Sequence, residues 1–91
     1  MTKSYHCIVI GKVKGGTFQS WVMDQAQQMG LTGWVRYIED NKAEILLQGE
    51  LVQCSRFRDK LKADAPLPEV QSIKCEFIDH DKQFDSFEMR G

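Results

Sequence analysis

Residues 11–21 read GKVKGGTFQSW, and the hydrophobic pattern of the chain changes its period across them. Before this turn, residues 5–13 (YHCIVIGKV) are rich in β-branched and aromatic types and end among glycines, which predicts a strand. After it, the apolar residues between Thr17 and Met29 recur at helical spacing, with Thr17 placed to cap the helix and Gly30 placed to stop it. A strand, a glycine-rich turn and an amphipathic helix are therefore expected in this order.

Further along the chain, the pattern predicts one more helix and four more strands. In chain order they are strands at 34–40 and 42–48 around the turn dipeptide Asp40-Asn41, a helix at 51–62, a strand at 70–78 and a short strand within 84–90. This order is β-α-β-β-α-β with one additional terminal strand. It predicts an α+β, ferredoxin-like sandwich in which an antiparallel sheet carries two helices on one face, as a single domain over residues 1–91.

Composition excludes several classes of function. With 12 Lys+Arg against 13 Asp+Glu, the formal net charge is −1, so there is no overall electrostatic case for binding nucleic acid or an anionic membrane. No apolar run has the length of a signal peptide or a membrane span. The two histidines, His6 and His80, lack metal-ligand spacing, so no metal and no cofactor are expected. The chain is predicted to be a cytoplasmic monomer.

The three cysteines, Cys7, Cys54 and Cys75, are odd in number and widely spaced, and each lies within an apolar run. They form neither a disulfide framework nor a C-x-x-C motif. The sequence therefore predicts three reduced thiols in the core of a cytoplasmic protein.

Two stretches of the sequence resemble the signatures of the acylphosphatase family. The family's first signature runs approximately Gly-x-Val-Gln-Gly-Val-x-Phe-Arg, and it is matched here by Gly11, Val13, Gly15 and Phe18. The second begins approximately Gly-aromatic-Val-basic-Asn, and it is matched in register by Gly33, Trp34, Val35, Arg36 and the later Gly49. The terminal FEMR also looks like the family, so the resemblance covers essentially the whole chain, and it implies the same fold as the periodicity.

The resemblance also implies an active site, from which this chain departs at both catalytic positions. In the family, loop N–H groups and an arginine bind the phosphoryl group of an acyl phosphate, and an asparagine orients the attacking water. Here Gln19 stands in place of the arginine and Tyr37 in place of the asparagine. The corresponding anion-binding loop would consist of Lys14, Gly15, Gly16, Thr17, Phe18 and Gln19, of which Lys14, Gly16 and Thr17 also differ from the family pattern.

These two replacements predict that acylphosphatase activity is absent or very weak. Phosphoryl transfer depends on positioning and on charge stabilisation, and Gln19 offers only a neutral amide where a guanidinium would present a charged fork. Losing one preorganised donor at developing charge costs about 2.7–4 kcal/mol. The oxygen of Tyr37 lies farther from the backbone than an asparagine amide, so the water position would be lost as well.

Several alternatives remain open from the sequence alone. Lys12 or Lys14 could supply the missing charge, although the pattern favours solvated lysines, and Arg36 is interpreted as a surface or sheet-face charge. Gln19 with Tyr37 could form a new site, but one amide and one phenol do not specify a reaction. With a compensating charge or such a site, the chain would be an active acylphosphatase with a non-standard site. Alternatively, the loop binds phosphate or another small anion through backbone N–H groups alone, or it is only a tight connection whose glycines permit positive φ.

Overall fold

A computed structural model of the chain describes residues 2–11, 13, 17–39, 41–65 and 70–90. Its elements are β1 (Thr2–Gly11), α1 (Phe18–Gln28), β2 (Thr32–Glu39), β3 (Lys42–Gln48), α2 (Leu51–Asp64), β4 (Val70–His80) and β5 (Phe87–Arg90). The five strands form one sheet in the order β4-β1-β3-β2-β5. All neighbours pair antiparallel except β2 and β5, which pair parallel and make the sheet mixed. The predicted ferredoxin-like fold with a short C-terminal strand is confirmed.

The core lies between the two helices and one face of the sheet. Alternate residues of the interior strand β1, such as Val9, are buried, because successive strand side chains point to opposite faces. Helix α1 contributes Phe18 and Val22 to the same cluster, and helix α2 contributes Phe57 and Leu61. Both helices therefore cover one face of the sheet, which places the start of α1 beside the end of β1.

Helix α1 begins and ends where the sequence predicts, but Thr17 does not cap it through its side chain. Thr17 occupies the N-cap position with φ −95° and ψ 7° and forms no side-chain capping hydrogen bond. The expectation of a threonine cap is wrong for this reason: the backbone of Thr17 is not in the extended conformation in which an N-cap hydroxyl reaches the first-turn N–H groups. At the other end, Gly30 has φ +70° and terminates the helix as predicted.

The prediction of three reduced thiols is also wrong. Cys7 and Cys75 are joined by a disulfide that closes a sequence separation of 68 residues. The two residues are direct partners in the β1–β4 ladder, with Cα atoms 4.1 Å apart, so their side chains lie on the same face of the sheet. Strand pairing creates this proximity, which the spacing of the cysteines in the sequence does not show. Cys54 is the free cysteine, and burial raises the pKa of its thiol.

The sheet face opposite the helices carries an ionic network centred on Glu44. Its Oε2 lies 2.6 Å from Nε2 of His6, and its Oε1 accepts hydrogen bonds at 2.6 Å from the guanidinium of Arg36. Only 15% of the Glu44 side chain is exposed. Burial by itself raises the pKa of Glu44, but the hydrogen bonds from His6 and Arg36 and the charge of Arg36 together outweigh it and lower this pKa.

This network predicts a specific acid sensitivity. Because the pKa of Glu44 is lower in the folded than in the unfolded chain, its contribution to stability is fully present above the unfolded value of about 4.3 and is lost as the pH falls through the folded value. In urea unfolding between pH 3 and 6, the free energy of unfolding should therefore fall less steeply with falling pH for Glu44→Gln than for the wild type. Glu39→Gln is the matched control, because Glu39 is exposed and pairs with Lys42 only at 3.5 Å. The same pH dependence of the free energy of unfolding in the wild type and Glu44→Gln would contradict the prediction.

Candidate functional site

The candidate site lies where the chain passes from β1 into α1, next to β2. Of the predicted anion-binding loop, Lys14, Gly15 and Gly16 lie outside the described residues. Thr17 is exposed, whereas the side chain of Phe18 is 1% exposed and belongs to the core. Phe18 can therefore face a ligand only through its backbone.

Gln19 lies in the first turn of α1 and points its amide nitrogen at the sheet. Nε2 donates a hydrogen bond to the carbonyl oxygen of Arg90 at 3.0 Å and a longer one to that of Val35 at 3.5 Å. An amide nitrogen has two N–H groups, and its oxygen only accepts. The amide nitrogen of Gln19 is thus directed at the backbones of β5 and β2. The amide oxygen carries partial negative charge and cannot donate a hydrogen bond to a phosphoryl oxygen.

Tyr37, on β2, is half-buried and packs against the core. Its hydroxyl donates a hydrogen bond to the carbonyl oxygen of Val13 at 2.9 Å. A phenol has one O–H donor, so this bond leaves the oxygen able to accept but not to donate. The residue that replaces the family's asparagine therefore connects β2 to the segment that leads into the loop.

The structure brings the two replaced positions to the same part of the fold but assigns both side chains to structural contacts. Val35, an acceptor for Gln19, is two residues from Tyr37 on β2. The hydrogen bonds of Gln19 and Tyr37 in the described part of the chain all go to backbone carbonyl oxygens. The arrangement can tie α1, β2, β5 and Val13 together, and neither Gln19 nor Tyr37 supplies a cationic group.

The other charges considered from the sequence do not change this arrangement. Arg36 lies on the opposite face of the sheet, where it pairs with Glu44 and its guanidinium carbon stands 4.8 Å from the ring centre of Trp34. Arg36 is therefore a charge on the face of the sheet, as the sequence predicts, and its position does not let it supply the missing charge. Lys12, like Lys14, lies outside the described residues.

Metal-ligand clusters and membrane-spanning helices are both absent from the part of the chain that the structure describes. No three His, Cys, Asp or Glu residues there could together hold a metal ion. Neither described helix is long and apolar enough to cross a membrane.

Sequence reasoning identified Gln19 and Tyr37 but missed their partners. The carbonyl oxygens of Val13, Val35 and Arg90 accept their hydrogen bonds. Every residue has such an oxygen, so no residue type marks these positions. Arg90 is 71 residues from Gln19, and only the parallel pairing of β5 with β2 brings its carbonyl near α1.

The fold is a ferredoxin-like sandwich in which Gln19, in the first turn of the first helix, lies against the second strand, and this combination indicates the class of the protein. The acylphosphatase family profile matches residues 5–89. The chain is 31% identical over 84 residues to an acylphosphatase from Pelotomaculum thermopropionicum, covering 92% of this chain and 91% of that one. It is 26% identical over 87 residues to an acylphosphatase from Bacillus pumilus, covering 96% and 97%.

Comparison of structures agrees with comparison of sequences. The crystal structure of acylphosphatase from Bacillus subtilis superposes with a TM-score of 0.88 at 27% identity, over 99% of this chain and all of that one. The match therefore extends over the whole fold and is not confined to the two signatures. The chain belongs to the acylphosphatase family.

Proposed function

We propose that this protein is a member of the acylphosphatase family with absent or very weak acyl phosphate hydrolysis, which acts as an anion-binding or interaction module. The observation that carries the proposal is the use of both side-chain donors at the catalytic positions. The amide of Gln19 donates to Arg90 and Val35, and the hydroxyl of Tyr37 donates to Val13. Hydrolysis needs donors aimed at the phosphoryl oxygens and at the attacking water before the reaction begins.

Weak anion binding is the part of the family's activity that we propose to remain, at residues 14–19. The first N–H groups of an α-helix have no partner within the helix and carry partial positive charge. Helix α1 is 11 residues long and starts at Phe18, so its dipole acts on this segment. Gln19 and Tyr37 are neutral and Arg36 pairs with Glu44, so none of these three side chains adds positive charge to it, and the affinity for phosphate should be low.

An alternative function, a working acylphosphatase with a non-standard site, is favoured by the curated relatives, which are named acylphosphatase and match the chain over nearly its full length. Such an enzyme would have to release the hydroxyl of Tyr37 from Val13, or the amide of Gln19 from Arg90, when the substrate binds. The two functions differ in the rate of acyl phosphate hydrolysis, which can be measured directly.

The deciding experiment is hydrolysis of benzoyl phosphate by the wild type and by variants that restore the family residues. We expect turnover by the wild type to be absent or very weak. The double variant Gln19→Arg with Tyr37→Asn should exceed the wild type by about 10²-fold or more, because a guanidinium has five N–H donors and can serve both a backbone carbonyl and a phosphoryl oxygen. Each single variant should recover less.

The control for added charge is Gln27→Arg, which places an arginine at an exposed position near the C-terminal end of α1. It should leave the rate of hydrolysis unchanged. Turnover by the wild type at ordinary enzyme rates, abolished by changing Gln19 or Tyr37, would overturn the proposed function and support the alternative. Titration of inorganic phosphate, followed through backbone amide resonances, tests the anion site separately: shifts confined to the start of α1 would support it, and their absence would reject it.

A further inference from the structure

We propose that Cys75 is a site of S-thiolation: a small thiol attacks Sγ of Cys75, forms a mixed disulfide there and releases Cys7 as a buried thiol. This inference is independent of the proposed function, because it concerns the β1–β4 disulfide and not the loop. It rests on the unequal surroundings of the two sulfur-bearing residues and on the pairing of the strands that carry them.

The two halves of the disulfide differ in their access to solvent. Cys7 lies on the interior strand β1 and has no exposed surface. Cys75 lies on β4, at the end of the sheet order, and is only partly buried. A nucleophile must approach the sulfur it attacks along the line of the S–S bond, so access decides which sulfur reacts. This difference directs a thiol from solvent to Cys75.

The neighbours of Cys75 show that the helices leave the rim of β4 open. Phe77, on the same side of β4, is 42% exposed, and Ile73 is partly buried. Their direct partners on β1, Tyr5 and Val9, are 3% and 0% exposed. Cys75 itself packs against the edge of the core, so we expect a group added to it to extend towards the open rim of β4.

The exchange balances without an external oxidant. The attacking thiol RSH loses its proton, its sulfur bonds to Sγ of Cys75, and the bond between Cys75 and Cys7 breaks. The sulfur of Cys7 takes the electron pair of that bond and then a proton, so one disulfide and one thiol are present before and after. A sulfur in an apolar core is more stable as a neutral thiol than as a thiolate, which slows both the departure of Cys7 and its attack on the new mixed disulfide, so the exchange is expected to be slow in both directions.

The fold should survive the exchange. Strands β1 and β4 remain hydrogen-bonded from the Thr2–His80 pair to the Gly11–Val70 pair, whatever the state of the sulfurs. Reaction at Cys75 therefore removes a covalent crosslink and leaves the ladder in place. The product is a folded chain with a modified edge strand.

The first experiment treats the folded, oxidised Cys54→Ala protein with excess reduced glutathione, quenches with acid and maps the adduct by mass spectrometry. The Cys54→Ala background removes the third thiol, which could otherwise reshuffle the disulfide. We expect glutathione on the peptide containing Cys75 and a free thiol on the peptide containing Cys7. The proposal would be overturned by equal labelling of the two cysteines or by an adduct on Cys7. It would also be overturned if no adduct formed while the protein stays folded.

The second experiment measures access to each sulfur without exchange. In the Cys54→Ala background, Cys7→Ala leaves Cys75 as the single thiol, and Cys75→Ala leaves Cys7. Native-state alkylation by iodoacetamide should be faster for the first variant by about tenfold or more, since reactivity follows exposure of the thiolate. Equal rates for variants shown to be folded by circular dichroism would contradict the proposed asymmetry. Should either variant fail to fold, the glutathione experiment decides alone.

Discussion

Replacing Gly33 with alanine is expected to destabilise the protein by more than about 4 kcal/mol, a large part of the free energy of unfolding of a domain of this size. Gly33 lies in β2 with φ +132°, a conformation that side chains with a Cβ rarely adopt. A Cβ at this position would lie 1.9 Å from the carbonyl oxygen of Leu46 and 2.8 Å from its carbonyl carbon. Both are backbone atoms of the neighbouring strand β3, so the clash can be relieved only by moving the strands apart.

Gly30→Ala is the matched control for this substitution. Gly30 also has a positive φ, +70°, but an added Cβ would meet nothing within 4 Å. It should therefore cost only the left-handed backbone strain of about 1–2 kcal/mol. Urea denaturation followed by circular dichroism compares the two variants. A Gly33→Ala protein no less stable than Gly30→Ala would show that β2 and β3 can separate at low cost.

The second large effect is expected on removing the Cys7–Cys75 disulfide. In the chain-entropy account, a crosslink over a sequence separation of 68 residues stabilises the fold by about 4 kcal/mol, because it restricts the unfolded chain. Cys75→Ala removes this crosslink with little change in packing, since Cys75 is only partly buried. Its midpoint of thermal unfolding should fall by more than ten degrees, given about 4–8 °C per kcal/mol for a domain of this size.

A reducing agent separates the crosslink from the side chain. Dithiothreitol should lower the unfolding midpoint of the wild type close to that of Cys75→Ala and leave the midpoint of the variant unchanged. The free thiol of Cys54 is present in both proteins and is not expected to contribute to the difference. Equal midpoints for the wild type with and without reductant would show that the disulfide does not restrict the unfolded chain.

Hydrophobic periodicity predicted every helix and strand of this protein in order, because each element follows from residues that are close together in the chain. For helix α2, the predicted and observed bounds agree to within two residues: its apolar stripe indicated residues 51–62, and the structure has Leu51–Asp64. The resemblance identified the family, and the family profile confirms it. The reduced state of Cys7 and Cys75 was predicted wrongly, because their contact depends on the register of two strands.

The candidate site likewise has features that the sequence predicts and features that depend on the tertiary structure. Residue types and their spacing were sufficient to predict the fold and the family, and the resemblance to the family places Gln19 and Tyr37 where it has an arginine and an asparagine. Only the tertiary structure decided what Gln19 and Tyr37 do instead, which is to bond the backbone carbonyls of Arg90, Val35 and Val13. Every residue has a backbone carbonyl, so the type of the accepting residue does not mark these hydrogen bonds in the sequence. They depend on where the strands pair, which only the tertiary geometry specifies.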